Sequence, residues 1–197
     1  VEDLDLDVPY GSVFGFLGRN GAGKTTTIRM LAGLAHPTRG AAWVAGIEAT
    51  TADSRARKLF GYLPQKPAFY SWMTPVEYLD YCAHLFELSP TETKARRAAP
   101  LALSGPAPAA RSRPAGSSAA LPQRLGIAQA MLHNPLVLIL DEPTSALDPA
   151  GRYEVLDMIQ NLRGRVTVFL SSHILADIER VCDTVAIIRS GRLELVA

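Results

Sequence analysis

Cysteine is nearly absent from this chain. The only two, Cys82 and Cys182, lie far apart among 197 residues and match no metal-ligand spacing, so both read as buried thiols of a reducing compartment. A surplus of either charge is missing as well. Twenty basic against 19 acidic residues leave a net charge of +1, with no broad field to draw nucleic acid or an anionic membrane. No long apolar run exists either: the longest obvious one, residues 136–140, is far short of the roughly 20 residues that cross a bilayer. The N-terminus carries Glu2, Asp3, Asp5 and Asp7 where a basic and then apolar leader would stand. A role at a membrane would therefore pass through a partner.

The residues that are present suit one globular domain: 48% hydrophobic and 20% charged residues over 197 positions can bury a real core. Leu4, Leu6 and Val8 alternate with Asp3, Asp5 and Asp7 as in a half-buried strand already under way. Residues 193–196 read as another strand that simply stops, so the natural chain is expected to extend in both directions. Between these ends the order is strand (12–17), glycine-rich loop (18–23) and helix (24–34). Residues 136–140 and 166–170 come next as short aliphatic strands of the kind buried on both faces, with helices at 124–133, 152–162 and 174–182. That alternation predicts an α/β layered fold with a mostly parallel sheet.

Two regions stand apart. Residues 60–86 hold eight of the aromatic side chains: Phe60, Tyr62, Phe69, Tyr70, Trp72, Tyr78, Tyr81 and Phe86. Residues 98–122 use only Ala, Pro, Ser, Leu, Gly and Arg, and read as loop or low-complexity sequence unable to fill a core. A compensated pair of frame shifts in a GC-rich gene would produce the same mixture.

The chemistry starts at the first loop. Gly18, Arg19, Asn20, Gly21, Ala22, Gly23, Lys24 and Thr25 fit the phosphate-loop pattern G-x-x-x-x-G-K-[ST] at every fixed position. Small residues let the backbone wrap phosphates, so that N–H groups and the helix N-terminus face negative charge. Lys24 then reaches the terminal phosphates, the Thr25 hydroxyl can ligate Mg²⁺, and Thr26 continues the contact. The second element is the apolar strand ending in Asp141 and Glu142. Alone it could be a strand end with capping carboxylates; beside a phosphate loop, Asp141 becomes a metal residue and Glu142 a general base for the attacking water.

At these residues the chain resembles the ABC ATPases. Residues 143–148 are similar to that family's D-loop, which places Asp148 at a nucleotide, and residues 170–173 are similar to its switch-histidine segment, which places His173 at the γ-phosphate. Gly61, Tyr62, Leu63, Pro64 and Gln65 resemble the glutamine loop, making Gln65 the residue that senses Mg²⁺ and the γ-phosphate. The resemblance implies a P-loop ABC ATPase fold with a mostly parallel core sheet, an antiparallel β subdomain and a helical subdomain. Core would span 1–74 and 134–197 and the helical part 75–133, with 98–122 atypical. It implies ATP and Mg²⁺ as ligands, a second ATPase subunit and a separate transmembrane permease subunit as partners, no nucleic acid, and a place on the cytoplasmic face of the cell membrane.

Residues 15–34 together with Pro37, Thr38 and Gly40, then 68–74 and 173–192, narrow the resemblance to ATPase subunits of bacterial drug and lipid exporters. There the segment after the glutamine loop receives the membrane subunit, a contact that Phe69, Tyr70 and Trp72 would suit unless they are core. The signature loop, usually Leu-Ser-Gly-Gly-Gln, is degraded. Counting back from Gln123 and Arg124 puts Ser118, Ala119 and Ala120 where serine and two glycines belong, and methyl groups hinder the close backbone approach to phosphate that glycine permits. The resemblance therefore implies a transport ATPase, with a catalytically weak nucleotide-binding subunit as the alternative.

Overall fold

The structure, a computed structural model, describes residues 1–49, 54–103 and 120–197. Six strands form one sheet in the order β4 (Phe60–Leu63), β5 (Val137–Leu140), β6 (Thr167–Ser172), β1 (Val13–Leu17), β7 (Thr184–Arg189) and β8 (Arg192–Val196). The first five run parallel and only β8 pairs antiparallel, through a hairpin with β7. A separate antiparallel pair, β2 (Trp43–Val44) and β3 (Ile47–Glu48), makes a small second sheet.

Alternation along the central strands explains the layers, because successive side chains leave a strand on opposite faces. Val13, Leu138, Leu140, Val168 and Leu170 point into one core, which α5 (Ala120–Met131), α6 (Pro149–Gln160) and α7 (Leu175–Val181) close. Phe14, Phe16, Ile139 and Phe169 point into the other, closed by Ile28 of α1 (Lys24–Leu31) and by Val44. Phe14 and Phe169, from neighbouring strands, stack with ring centroids 5.7 Å apart. A third, smaller core joins Tyr78, Leu79, Cys82 and Ala83 of α3 (Pro75–Leu85) to Leu125, Ala128 and Leu132 on and after α5. Helices α2 (Ser54–Leu59) and α4 (Pro90–Leu103) complete the described elements.

Three expectations need correction. Residues 1–9 carry no strand, although Leu4, Leu6 and Val8 still pack partly buried against the second core; apolar alternation marks a face, but a strand also needs a paired edge. The segment 98–122 is not wholly loop. Helix α4 runs to Leu103 and α5 begins at Ala120, with Ala120 and Leu121 buried. Ala and Leu are strong helix formers, a preference that the six-residue composition concealed, and Pro122 falls in the first turn, where a missing N–H costs little. The thiols differ from the expected pair: Cys82 is buried, but Cys182 is only partly so, and burial pushes its pKa up to about 12. No described helix is long and apolar enough to cross a membrane.

Candidate functional site

Four neighbouring parallel strands end on the same edge, and the segments that leave their carboxyl ends make the site. The loop at 18–23 leaves β1, Asp141 and Glu142 leave β5, His173 leaves β6, and Gln65 comes two residues after β4. The carboxyl edge of an open parallel sheet is the ordinary place for a ligand, because loops there gather over helix N-termini. A cavity of about 230 Å³ lies on this edge, lined by Asn20, Gly21, Gly23, Lys24, Thr25, Thr26, Gln65 and Glu142.

The loop is braced from behind by the β7–β8 hairpin. A Cβ at Gly18 would stand 2.5 Å from the Ile188 carbonyl oxygen, so only glycine lets the loop lie this close to β7. Gly191 in the hairpin turn donates its N–H to the Ala22 carbonyl at 2.8 Å, and Gly18 donates to the Ser172 carbonyl at 3.1 Å. Lys24 then folds back over the loop. Its ammonium is buried and donates to the carbonyls of Gly18 (2.7 Å) and Arg19 (3.2 Å).

Glu142 stands at the centre. One carboxylate oxygen pairs with Lys24 Nζ at 2.9 Å and the other lies 2.5 Å from His173 Nδ1. A carboxylate facing Nδ1 makes that nitrogen the protonated one and leaves Nε2 for another partner. The backbone of Glu142 has φ of 51°, an uncommon conformation for a residue with a side chain, and its N–H donates to the Ser171 hydroxyl at 2.9 Å. Ser171 in turn donates to Asp141 Oδ1 at 2.8 Å, which also accepts from the Thr25 hydroxyl at 3.3 Å.

Asp141 Oδ2 is buried without a hydrogen-bond partner among the described residues. An orphaned carboxylate oxygen costs free energy unless something meets it, and the adjoining Thr25 hydroxyl makes the pair a hard oxygen donor set suited to Mg²⁺. No three His, Cys, Asp or Glu side chains gather to hold a metal among the described residues, so phosphate oxygens and water would have to complete the shell. Burial, and then the Asp141 charge, raise the pKa of the neighbouring Tyr62 phenol.

Of the residues singled out from sequence, Asn20, Gly21, Gly23, Lys24, Thr25, Thr26, Gln65 and Glu142 converge on the cavity. Gly18, Arg19 and Ala22 shape the loop through backbone groups, and Asp141 and His173 join through hydrogen bonds. Asp148 does not join them; it caps α6, accepting the Gly151 N–H at 3.2 Å. Ser118 lies outside the described residues. Sequence reasoning gave no role to Ser171, Thr144, Asp177 or Gln123, whose side-chain amide donates to the Gln65 carbonyl at 3.2 Å. For Ser171 a signal existed: a hydroxyl that directly follows the apolar run Val168, Phe169 and Leu170 of a buried strand must find a partner.

Comparison with known proteins adds findings of three kinds. A family model described as ABC transporter matches residues 1–145. YxlF, an uncharacterised ABC transporter ATP-binding protein of Bacillus subtilis (strain 168), is 46% identical over 193 residues, covering 98% of this chain and 64% of its own length. BcrA of Bacillus licheniformis, a bacitracin transport ATP-binding protein, is 40% identical over 195 residues, covering 98% of this chain and 63% of its own. The chain thus spans less than two thirds of the length of these curated relatives. Among solved structures, the ATP-binding subunit of an ABC transporter superposes with a TM-score of 0.87 at 33% identity, covering all of this chain and 82% of the other. The dimeric ABC transporter cassette MJ0796 shares the fold, with a TM-score of 0.83 at 22% identity over 98% of this chain and 87% of its own.

Proposed function

The chain belongs to the ABC transporter family, among its ATP-binding proteins, and from that premise we propose that it is the ATP-hydrolysing motor of an exporter whose membrane-spanning subunit is a separate polypeptide. The observation that carries this reading is the Lys24–Glu142–His173 chain, with Asp141 and Thr25 beside it, at the mouth of the phosphate loop. The core of residues 1–74 and 134–197 would act as one ATP-binding domain with the helical part at 75–133.

The phosphates of ATP enter the cradle of backbone N–H groups at the N-terminus of α1, where dipole and donors favour negative charge. They compete with Glu142 for Lys24, whose ammonium they draw away. Glu142 is then free to accept a proton from a water as the water oxygen attacks the γ-phosphorus and the bond to the ADP oxygen breaks. His173 keeps the carboxylate oriented through Nδ1, and when the ring carries both protons its Nε2–H would donate to the γ-phosphate, while the Gln65 side chain stands at the cavity wall. Bound Mg²⁺, held by Thr25 and Asp141, would neutralise charge developing on the phosphate oxygens. Asp148, which caps α6 and does not line this cavity, would serve the site of a second ATPase subunit, as would the signature segment that the resemblance places at Ser118.

For the membrane partner, the support is an exposed aromatic patch. Tyr70 packs at a tilt against Trp72 and edge-on against Tyr81, with centroids 4.8 and 5.8 Å apart, and Trp72 is 61% exposed, whereas Phe69 turns inward against Tyr78. Such a patch just after Gln65 suits a protein contact that would hold the chain peripherally at the cytoplasmic face of the cell membrane. Nucleic acid is not proposed as a partner, in keeping with a net charge of +1.

A second reading, a subunit that binds ATP but turns it over slowly, is favoured by Ala120. Its methyl group stands in the first turn of a helix, buried, 2.7 Å from where a Cβ on Gly151 would be, rather than in a free glycine loop. Measuring Mg-ATP affinity and steady-state turnover of the full-length protein separates the two. Tight binding with robust turnover supports the motor; tight binding with negligible turnover supports the second reading, and no nucleotide binding defeats both.

A further inference from the structure

The loop that leaves Glu142 and the helix beyond His173 are joined a second time, away from the cavity. Thr144 donates its hydroxyl to Asp177 Oδ2 at 2.6 Å, and Arg152, in the first turn of α6, donates Nε to Asp177 Oδ1 at 2.5 Å. Asp177 is 1% exposed and Thr144 3%, so this carboxylate is committed to two donors in a place that water does not reach. A buried carboxylate is costly unless both oxygens are met, which makes the arrangement rigid and intolerant of either donor moving.

The geometry sets two short links in parallel. Segment 142–144 meets segment 173–177 once at Glu142–His173 and once at Thr144–Asp177, and Arg152 ties both to the start of the helix that Asp148 caps. Resting on the motor reading above, we propose that Asp177 is a positioning residue for hydrolysis. It holds the 143–148 loop in register with the His173 helix, so that the Glu142 carboxylate meets the imidazole at a fixed distance. Nucleotide binding, made by the phosphate loop on the other side of Glu142, does not depend on it.

Removing Asp177 outright would strand Arg152 and could unfold the protein, so the discriminating variants are at Thr144. Thr144→Val keeps the shape and deletes the donor; Thr144→Ser keeps the donor. In the full-length protein, Thr144→Val should lower kcat roughly tenfold to a hundredfold, as small misplacements of reacting groups do. KM for ATP should stay within about twofold, because phosphate binding is untouched. The His173 imidazole NMR signals should shift in Thr144→Val, and Thr144→Ser should match the wild type in every readout. A Thr144→Val protein with wild-type kcat and unmoved His173 signals overturns the proposal. So does loss of kcat, KM and melting temperature together in both variants, the mark of a merely structural contact. A wild type that does not hydrolyse ATP defeats the motor reading instead; the His173 signals alone then decide, supporting the link if Thr144→Val moves them and overturning it if not.

Discussion

Lys24 and Glu142 share one ion pair, yet their removal should have different consequences. Glu142→Gln keeps the volume and leaves a neutral acceptor near Lys24, so ATP should still bind while turnover falls about 10²- to 10⁴-fold, the usual cost of losing a general base. Lys24→Ala deletes the charge that faces the phosphates and should weaken nucleotide binding itself. Isothermal titration beside a phosphate-release assay checks the division; equal loss of binding in both would end it. A third residue, His133, makes a prediction about pH. Its ring stacks on Phe86 with centroids 4.1 Å apart, Nε2 lies 3.1 Å from the Phe60 carbonyl, and buried Nδ1 has no partner among the described residues. Burial, the larger cause, and the nearby Arg96 charge lower its pKa, against the opposing pull of the Phe60 carbonyl. The unfolded chain therefore binds the proton more readily. Stability should be complete above about pH 6.5, the unfolded value, and decline as pH falls below it towards the folded pKa. Urea midpoints measured between pH 8 and 5 should show the decline, and His133→Gln should remove that part of it.

At the scale of elements, strand β4 and helix α5 approach so closely that the strand has no room for a side chain. A Cβ on Gly61 would lie 2.0 Å from the Ala130 carbonyl oxygen, which is backbone and cannot rotate away. Gly61→Ala should push the helix off the sheet and cost at least about 1–3 kcal/mol, the range for overpacking. Chemical unfolding measures it directly, and an unchanged midpoint would show that β4 and α5 do not pack this tightly. The same element pair shows how far sequence could be read. The glutamine loop was legible because residues 61–65 resemble that family's motif, whereas the strand just before it, β4, was not read from the sequence. The start of α5 was not, because alanine and proline composition hid a helix whose first turn is buried between other elements. Likewise, residues 1–9 have strand alternation without a strand, since pairing depends on a neighbour that local pattern does not contain.

For the whole molecule, the exposed aromatics set the test of the transport reading. Trp72→Ala removes apolar area from the surface and not from a core, so melting temperature and ATP affinity should remain close to wild type. Transport, reconstituted with the membrane subunit, should fall while ATP turnover persists. Loss of folding in this variant would instead mark Trp72 as core, and transport at the wild-type level would remove the patch from the coupling surface.

The residues of the phosphate loop, the carboxylates at 141 and 142, and the strand-helix alternation were determined by sequence alone, because each is a local pattern whose chemistry is complete within a few positions. Tertiary structure decided what those groups touch. Only the parallel order β4, β5, β6, β1 brings Gln65, Glu142, His173 and Lys24 to one edge. Only burial makes Ser171 and Asp177 necessary partners, since a polar side chain must find its donor or acceptor wherever the fold has excluded water.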